Sequence, residues 1–122
     1  MKIAITSEGK SPAAAVDPRF GRCKYFIVYD SDSGAFESLE NTHAQASGGA
    51  GIQAGQWMVS KGVEAVLTGH VGPNASGVLL PAGIKIYTGV SGTVAEAFER
   101  FRKGELPTAP GHPGMVDGGK TS

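Results

Sequence analysis

The sequence predicts an α/β fold with a mixed five-stranded sheet and the element order β-β-β-α-β-α-β-α. Three observations lead there. Two short strand-like runs, Tyr25–Asp30 and Phe36–Glu40, flank the turn mixture Asp30-Ser31-Asp32-Ser33-Gly34 and so read as an antiparallel hairpin. From Ala50 onward, helical stripes alternate with short apolar runs, the pattern of parallel strands joined by helices. The chain has 122 residues, enough for one domain with one core.

Each element has its own warrant. Residues 2–6, Lys-Ile-Ala-Ile-Thr, form an apolar run stopped by Ser7-Glu8-Gly9-Lys10, a buried first strand. Residues 11–23 hold Pro12 and Pro18 and read as a loop. The second strand carries Tyr25, Ile27 and Tyr29 on one face and Phe26 and Val28 on the other, so both faces are apolar and it belongs near the middle of the sheet. Residues 41–49 are small and polar, a loop. From Ala50 the residues Ala50, Ala54, Trp57 and Met58 fall on one helical stripe, with Gly62 as a stop. Residues 63–68 form a fourth strand. Pro73 and Asn74 open a second helix with Ala75, Val78, Leu79 and Ala82 on its apolar side, and Gly83 closes it. Residues 84–88 form the fifth strand. Thr93 and Glu96 make a capping box for a third helix striped by Val94, Ala97, Phe98 and Phe101, which ends at Gly104. Residues 1–106 are therefore expected to be the domain. Residues 107–122, rich in Pro, Gly, Thr and Ser, read as a flexible tail. The order is that of the ribonuclease H-like fold. In open α/β sheets, ligands sit beyond the carboxyl ends of the strands. Here that places residues 7–18, 41–49, 69–74 and 89–92 on one rim.

Composition narrows the function. Lys plus Arg and Asp plus Glu number 11 each, so no basic excess favours nucleic acid, although Arg19, Arg22 and Lys24 make a local patch. The single cysteine excludes an internal disulfide and suits a reducing compartment. The opening apolar run is too short for a signal peptide and no run is long enough to span a bilayer, so a soluble cytoplasmic protein is expected. Many proteins with this element order are nucleases that hold two metals with carboxylates. Here the first strand has no acid and the fourth offers only Glu64 at its start, which leaves no place for two hard cations. No Gly-x-Ser-x-Gly supports a serine hydrolase.

The segment Asp17-Pro18-Arg19-Phe20-Gly21-Arg22-Cys23 places the thiol beside two arginines in a turn. Such surroundings suit an anionic metal–sulfur cluster. They would lower the thiol pKa of Cys23 if it were exposed. The alternative is a small buried hydrophobe, the commonest state of a free cysteine. As a nucleophile Cys23 would need a histidine base; His43 or His70 would serve, but no cysteine-protease signature surrounds it. His43 and His70 each follow a predicted strand, and with Cys23 they would supply borderline-soft metal ligands. Their spacing matches no zinc motif, and each reads equally as a turn or solvated residue. His112, in the tail, reads as a bystander.

Gly48-Gly49-Ala50-Gly51 opens a helix whose free N–H groups and dipole favour an anion. Gly49-x-Gly51-x-x-Ala54 also has the look of a dinucleotide fingerprint. It follows a polar loop, however, and Thr68-Gly69-His70 stands where the acidic residue belongs. There is no Walker A lysine. Gly72-Pro73-Asn74 is a second loop-to-helix junction, where Asn74 reads as a cap or a ligand contact. Arg19, Arg22 and Asn41 on the first two loops, with Gly49, Ala50, Gly51, Gly72 and Asn74 at the two helix starts, are therefore the candidate cofactor-binding set. Cys23, His43 and His70 are the candidate metal ligands.

These segments together resemble the dinitrogenase iron-molybdenum cofactor biosynthesis family. The match runs through Phe20-Gly21-Arg22-Cys23 with Tyr25-Phe26 and Asp30, Gly48 to Gly51, Val66-Leu67-Thr68-Gly69 with Gly72-Pro73-Asn74-Ala75, and Ala82-Gly83-Ile84-Lys85-Ile86-Tyr87. Gly92-Thr93-Val94, Glu96-Ala97 and Lys103-Gly104-Glu105-Leu106 complete it, over about residues 1–106. The resemblance implies a ribonuclease H-like fold, no catalysis, and a bound metal–sulfur cluster of iron–sulfur, iron–molybdenum or molybdenum–copper sulfide type. It implies a cluster donor or acceptor protein as partner. One branch of the family, from sulfate reducers, holds its cluster without thiolate ligation and neighbours MinD-type ATPases. The larger nitrogenase carriers have extra domains, and a small stand-alone member without them is the expectation here. A metal-free adaptor that regulates a partner ATPase is the competing expectation.

Overall fold

The computed structural model describes residues 1–44 and 49–106. The expected flexible tail, His112 and Gly48 lie outside the described residues. Among the described residues, five strands and three helices follow in the anticipated order: β1 (Lys2–Ser7), β2 (Tyr25–Asp30), β3 (Phe36–Glu40), α1 (Ala50–Ser60), β4 (Val63–Leu67), α2 (Pro73–Leu79), β5 (Lys85–Tyr87) and α3 (Val94–Arg102). The fold is α/β, with the strands in one mixed sheet ordered β3-β2-β1-β4-β5.

The hairpin forms for a local reason. The Asp30 carboxylate accepts from the backbone N–H of Asp32 at 2.9 Å, closing an Asx-type turn, and Gly34 N–H donates to the Asp30 carbonyl at 2.8 Å. β2 then pairs antiparallel with both β1 and β3. The chain crosses through α1 to the far side of β1, where β4 pairs parallel with it, and α2 returns it to β5, parallel to β4.

The sheet is apolar on both faces, as the double patterning of β2 requires. Phe26 and Val28 join Ala4, Val66 and Ile86 beneath α1 and α2, with Ala54, Met58, Ala75 and Leu79 contributed by the helices. Ile27 and Tyr29 join Ile3, Ile5 and Leu67 on the opposite face, covered by Val94, Ala97 and Phe98 of α3. The ring of Tyr29 stacks on Phe98 with centroids 3.9 Å apart. The capping box at α3 is complete: Glu96 N–H donates to Thr93 Oγ1 at 3.1 Å and Thr93 N–H donates to Glu96 Oε1 at 2.9 Å.

Boundaries differ from the sequence reading in four places. β1 runs one residue further, because Ser7 is still paired with Tyr25 and also bridges Val16. β4 stops at Leu67, and Thr68 N–H instead donates to the Tyr87 carbonyl. β5 keeps only three residues, since Thr88 lies beyond its ladder with β4. α2 ends at Leu79, and Ala82 is exposed rather than on its apolar face. Pro81 explains this last difference, because it has no N–H to extend the helical ladder.

Candidate functional site

β1 and β4 are parallel, so their carboxyl ends share one edge of the sheet. β2 begins and β3 ends at that same edge. The described parts of the loops expected to converge lie at this edge, and specific contacts tie them together. Arg19 and His70 are paired in an isolated parallel bridge, and Phe20 N–H donates to the His70 carbonyl at 3.2 Å. Two glycines permit this approach. A Cβ on Gly69 would lie 2.6 Å from Pro18 Cα, and one on Gly21 would lie 2.9 Å from both N and Cα of Gly51. Gly51 in turn packs on Ala75, so the starts of α1 and α2 are neighbours. Gly89 N–H donates to the Gly69 carbonyl and Val90 N–H to the Thr68 carbonyl, which draws in the last of the four loops.

Arg19 is the best-defined cation on this rim. Its guanidinium Nε donates to Asp17 Oδ1 at 3.3 Å, its side chain is 61% exposed, and Asp17 is buried beneath it. Hydrogen bonding to Asp17, followed by the attraction of its charge, raises the Arg19 pKa above its ordinary value. Among the described residues, its Nη1 has no hydrogen-bond partner. Arg22 is exposed and its Nη1 donates to the Ala44 carbonyl at 2.8 Å, which ties the second loop to the first.

The buried polar residues are fasteners. Asn41 donates through Nδ2 to the carbonyls of Gly21 at 3.1 Å and Cys23 at 2.9 Å, and its Oδ1 accepts from His43 N–H at 3.1 Å. Its amide is spent inside the protein, so Asn41 shapes the rim instead of offering a hand to a ligand. Cys23 is wholly buried in the core under α1 and α2, with Asn41 Nδ2 3.8 Å from its sulfur. The exposure on which a lowered thiol pKa depends is not met. Burial pushes the thiol up, the charge of Asp17 adds to this, and the Asn41 hydrogen bond opposes it only in part. In this conformation Cys23 is a neutral core side chain.

His43 is half-buried, its ring edge-on to Trp57 with centroids 5.7 Å apart, while His70 is exposed. Gly49 is the N-cap of α1 and lacks a side chain to cap with. Gly72 caps α2, in open space, and Asn74 is exposed on the first turn. A groove of about 360 Å3 is lined by Gly69, His70, Ser76 and Leu80. Among the described residues no group of three or more His, Cys, Asp or Glu stands together to hold a metal ion. The chemistry the rim offers is a guanidinium aimed outward, a neighbouring imidazole, and backbone N–H groups at helix starts.

Sequence reasoning missed Asp17 as a site residue, although the Asp-Pro-Arg order signals a turn in which the Asp accepts the N–H two residues on. It also missed Thr6 and Thr68. Their hydroxyls lie 2.8 Å apart, and that of Thr6 donates to the Asp17 carbonyl at 2.6 Å. No sequence signal marks that pair, because it depends on the β1–β4 register.

Fold and rim together define a small single-sheet α/β protein with Arg19 and Arg22 exposed on one rim. The chain belongs to the dinitrogenase iron-molybdenum cofactor family, whose model matches residues 1–104. It is similar to the apo form of the orange protein from Desulfovibrio gigas, at 43% identity and a TM-score of 0.86, covering 90% of this chain and 93% of that one. It is also similar to a Thermotoga protein proposed to be NifB, at 46% identity and a TM-score of 0.76, covering 86% and 90%. An uncharacterized protein of Methanocaldococcus jannaschii is 28% identical over 109 residues, 87% of this chain and 89% of that protein.

Proposed function

We propose that this protein binds an anionic metal–sulfur cluster as cargo at the carboxyl rim and passes it between a donor and an acceptor protein, without catalysing a reaction. The observation that carries this is the convergence of Arg19, Arg22 and His70 with two helix starts on one edge of the sheet. Family membership supports it. A cluster of iron–sulfur, iron–molybdenum or molybdenum–copper sulfide type brings its own sulfide. It can thus be held by charge and hydrogen bonds to Arg19, Arg22 and backbone N–H groups, with His43 or His70 adding a metal bond. Such a hold is readily reversed, which suits a carrier. The element order and the β3-β2-β1-β4-β5 sheet support a ribonuclease H-like label for the fold. The free thiol suits a reducing cytoplasm, and a MinD-type ATPase remains a partner to be sought by experiment. No helix among the described residues is long and apolar enough to cross a membrane.

The test is anaerobic purification followed by reconstitution, first with iron and sulfide and then with tetrathiomolybdate and copper. Visible charge-transfer bands and stoichiometric metal and sulfide support the carrier reading and name the cluster. A protein that stays colourless with both mixtures sinks it and favours the metal-free adaptor. Binding held by charge also weakens as salt rises, because exposed ion pairs are screened.

A further inference from the structure

Resting on that carrier reading, we infer that Asp17 is a positioning residue that fixes Arg19 for contact with the anionic cargo. Residue 17 is itself fastened from several sides. Its N–H donates to the Thr6 carbonyl at 2.9 Å, and its carbonyl accepts from Thr6 Oγ1 at 2.6 Å with Thr68 Oγ1 at 3.5 Å. The ends of the two central strands thus hold its backbone. Its carboxylate, 1% exposed, turns toward Arg19: Oδ1 accepts from Arg19 N–H at 3.0 Å and Nε at 3.3 Å, and Oδ2 lies 3.5 Å from Nη2. This grip takes the Nε edge of the guanidinium side-on and leaves Nη1 outward. As bridge partners, Arg19 and His70 are neighbours along the backbone at this rim.

The sign of the charge separates placement from simple electrostatics. Asp17 is negative, so for an anionic ligand its charge alone is unfavourable. A benefit from Asp17 must come through the order it imposes on a long side chain that is otherwise 61% exposed. Lysine cannot replace the arginine here, because an ammonium has no planar edge for the carboxylate to grip.

The experiment is anaerobic titration with tetrathiomolybdate, followed by absorbance, on the wild type, Arg19→Ala, Arg19→Lys, Asp17→Asn and the Asp17→Asn/Arg19→Ala double variant. Placement predicts that Arg19→Ala weakens binding about tenfold and that Arg19→Lys falls close to it. Asp17→Asn weakens binding about fivefold although it removes a negative charge, and adds nothing further on top of Arg19→Ala. A merely structural Asp17 would weaken both backgrounds alike. Unchanged or tighter binding in Asp17→Asn overturns the inference. Should Asp17→Asn not fold, Arg19→Lys decides: wild-type affinity overturns, loss supports. A wild type that takes up no probe overturns the carrier reading and this inference with it. A binding wild type matched by Arg19→Ala overturns this inference only.

Discussion

Gly21 and Gly51 meet backbone to backbone, so that a Cβ on Gly21 would stand 2.9 Å from both the nitrogen and the Cα of Gly51. This contact seats the arginine loop on the opening turn of α1, and neither partner is a flexible side chain that could swing away. Gly21→Ala is therefore expected to destabilise the fold by about 1–3 kcal/mol. Gly77→Ala, inside α2 with nothing within 4 Å of the added methyl, is expected to stabilise it by about 0.5–1 kcal/mol. Urea unfolding of the two variants checks both signs.

Cys23 should be unreactive in the folded protein. Iodoacetamide at neutral pH is expected to modify it at a rate set by opening of the loop or unfolding, and to modify it fully in denaturant. A native-state rate equal to that of a free thiol would refute the buried assignment.

The same thiol makes a pH prediction. Its folded pKa is raised from an ordinary value of 9.0 by burial, so the folded state favours the neutral form. The associated stability is fully present below pH 9.0 and declines as the pH rises toward the folded value, because only the unfolded chain releases the proton there. Wild type should lose up to about 1.4 kcal/mol per pH unit more than Cys23→Ala in that range. The raised pKa values of Tyr29 and Tyr87 act in the same direction but cancel in the comparison. Denaturant midpoints of both proteins from pH 7 to 11 give the difference.

Asn41→Ala removes two donors from the Gly21 and Cys23 carbonyls and one acceptor from His43 N–H. A loss of about 2–4 kcal/mol is expected, since buried groups are left without partners. Hydrogen exchange should show faster opening of residues 41–44 and of the arginine loop. An effect confined to the global midpoint, with local protection retained, would contradict this role.

Trp57 is the single tryptophan and lies against His43 at the rim. A coloured metal–sulfur cluster bound there should quench its fluorescence in proportion to occupancy. His43→Ala should alter the emission of the cluster-free protein. Cluster uptake with unchanged Trp57 emission would place the cargo elsewhere on the molecule.

Most of the fold was legible because its signals are local. β2 and β3 match their expected bounds, since the Asp30 turn fixes the hairpin, and Thr93 with Glu96 caps α3 as a sequence pair three residues apart should. The rim was legible through the general rule for open sheets. The roles of individual rim residues were less so. Asn41 looked like a ligand contact and Cys23 read either as a ligand or as a buried hydrophobe; both are buried, with Cys23 packed in the core beside Phe20 and Phe26.

The sequence by itself determined the element order, the two-sided apolar sheet and the family, all of which follow from periodicity, turn chemistry and motif order within a few residues. Only the tertiary structure decided which polar groups face outward. Asp17 and Arg19 are two residues apart, but what makes Asp17 an anchor is Thr6 at the end of β1 and Thr68 at the end of β4, 62 positions apart in the chain. Burial and hydrogen-bond partnership are properties of that long-range packing, and no local pattern of residues carries them.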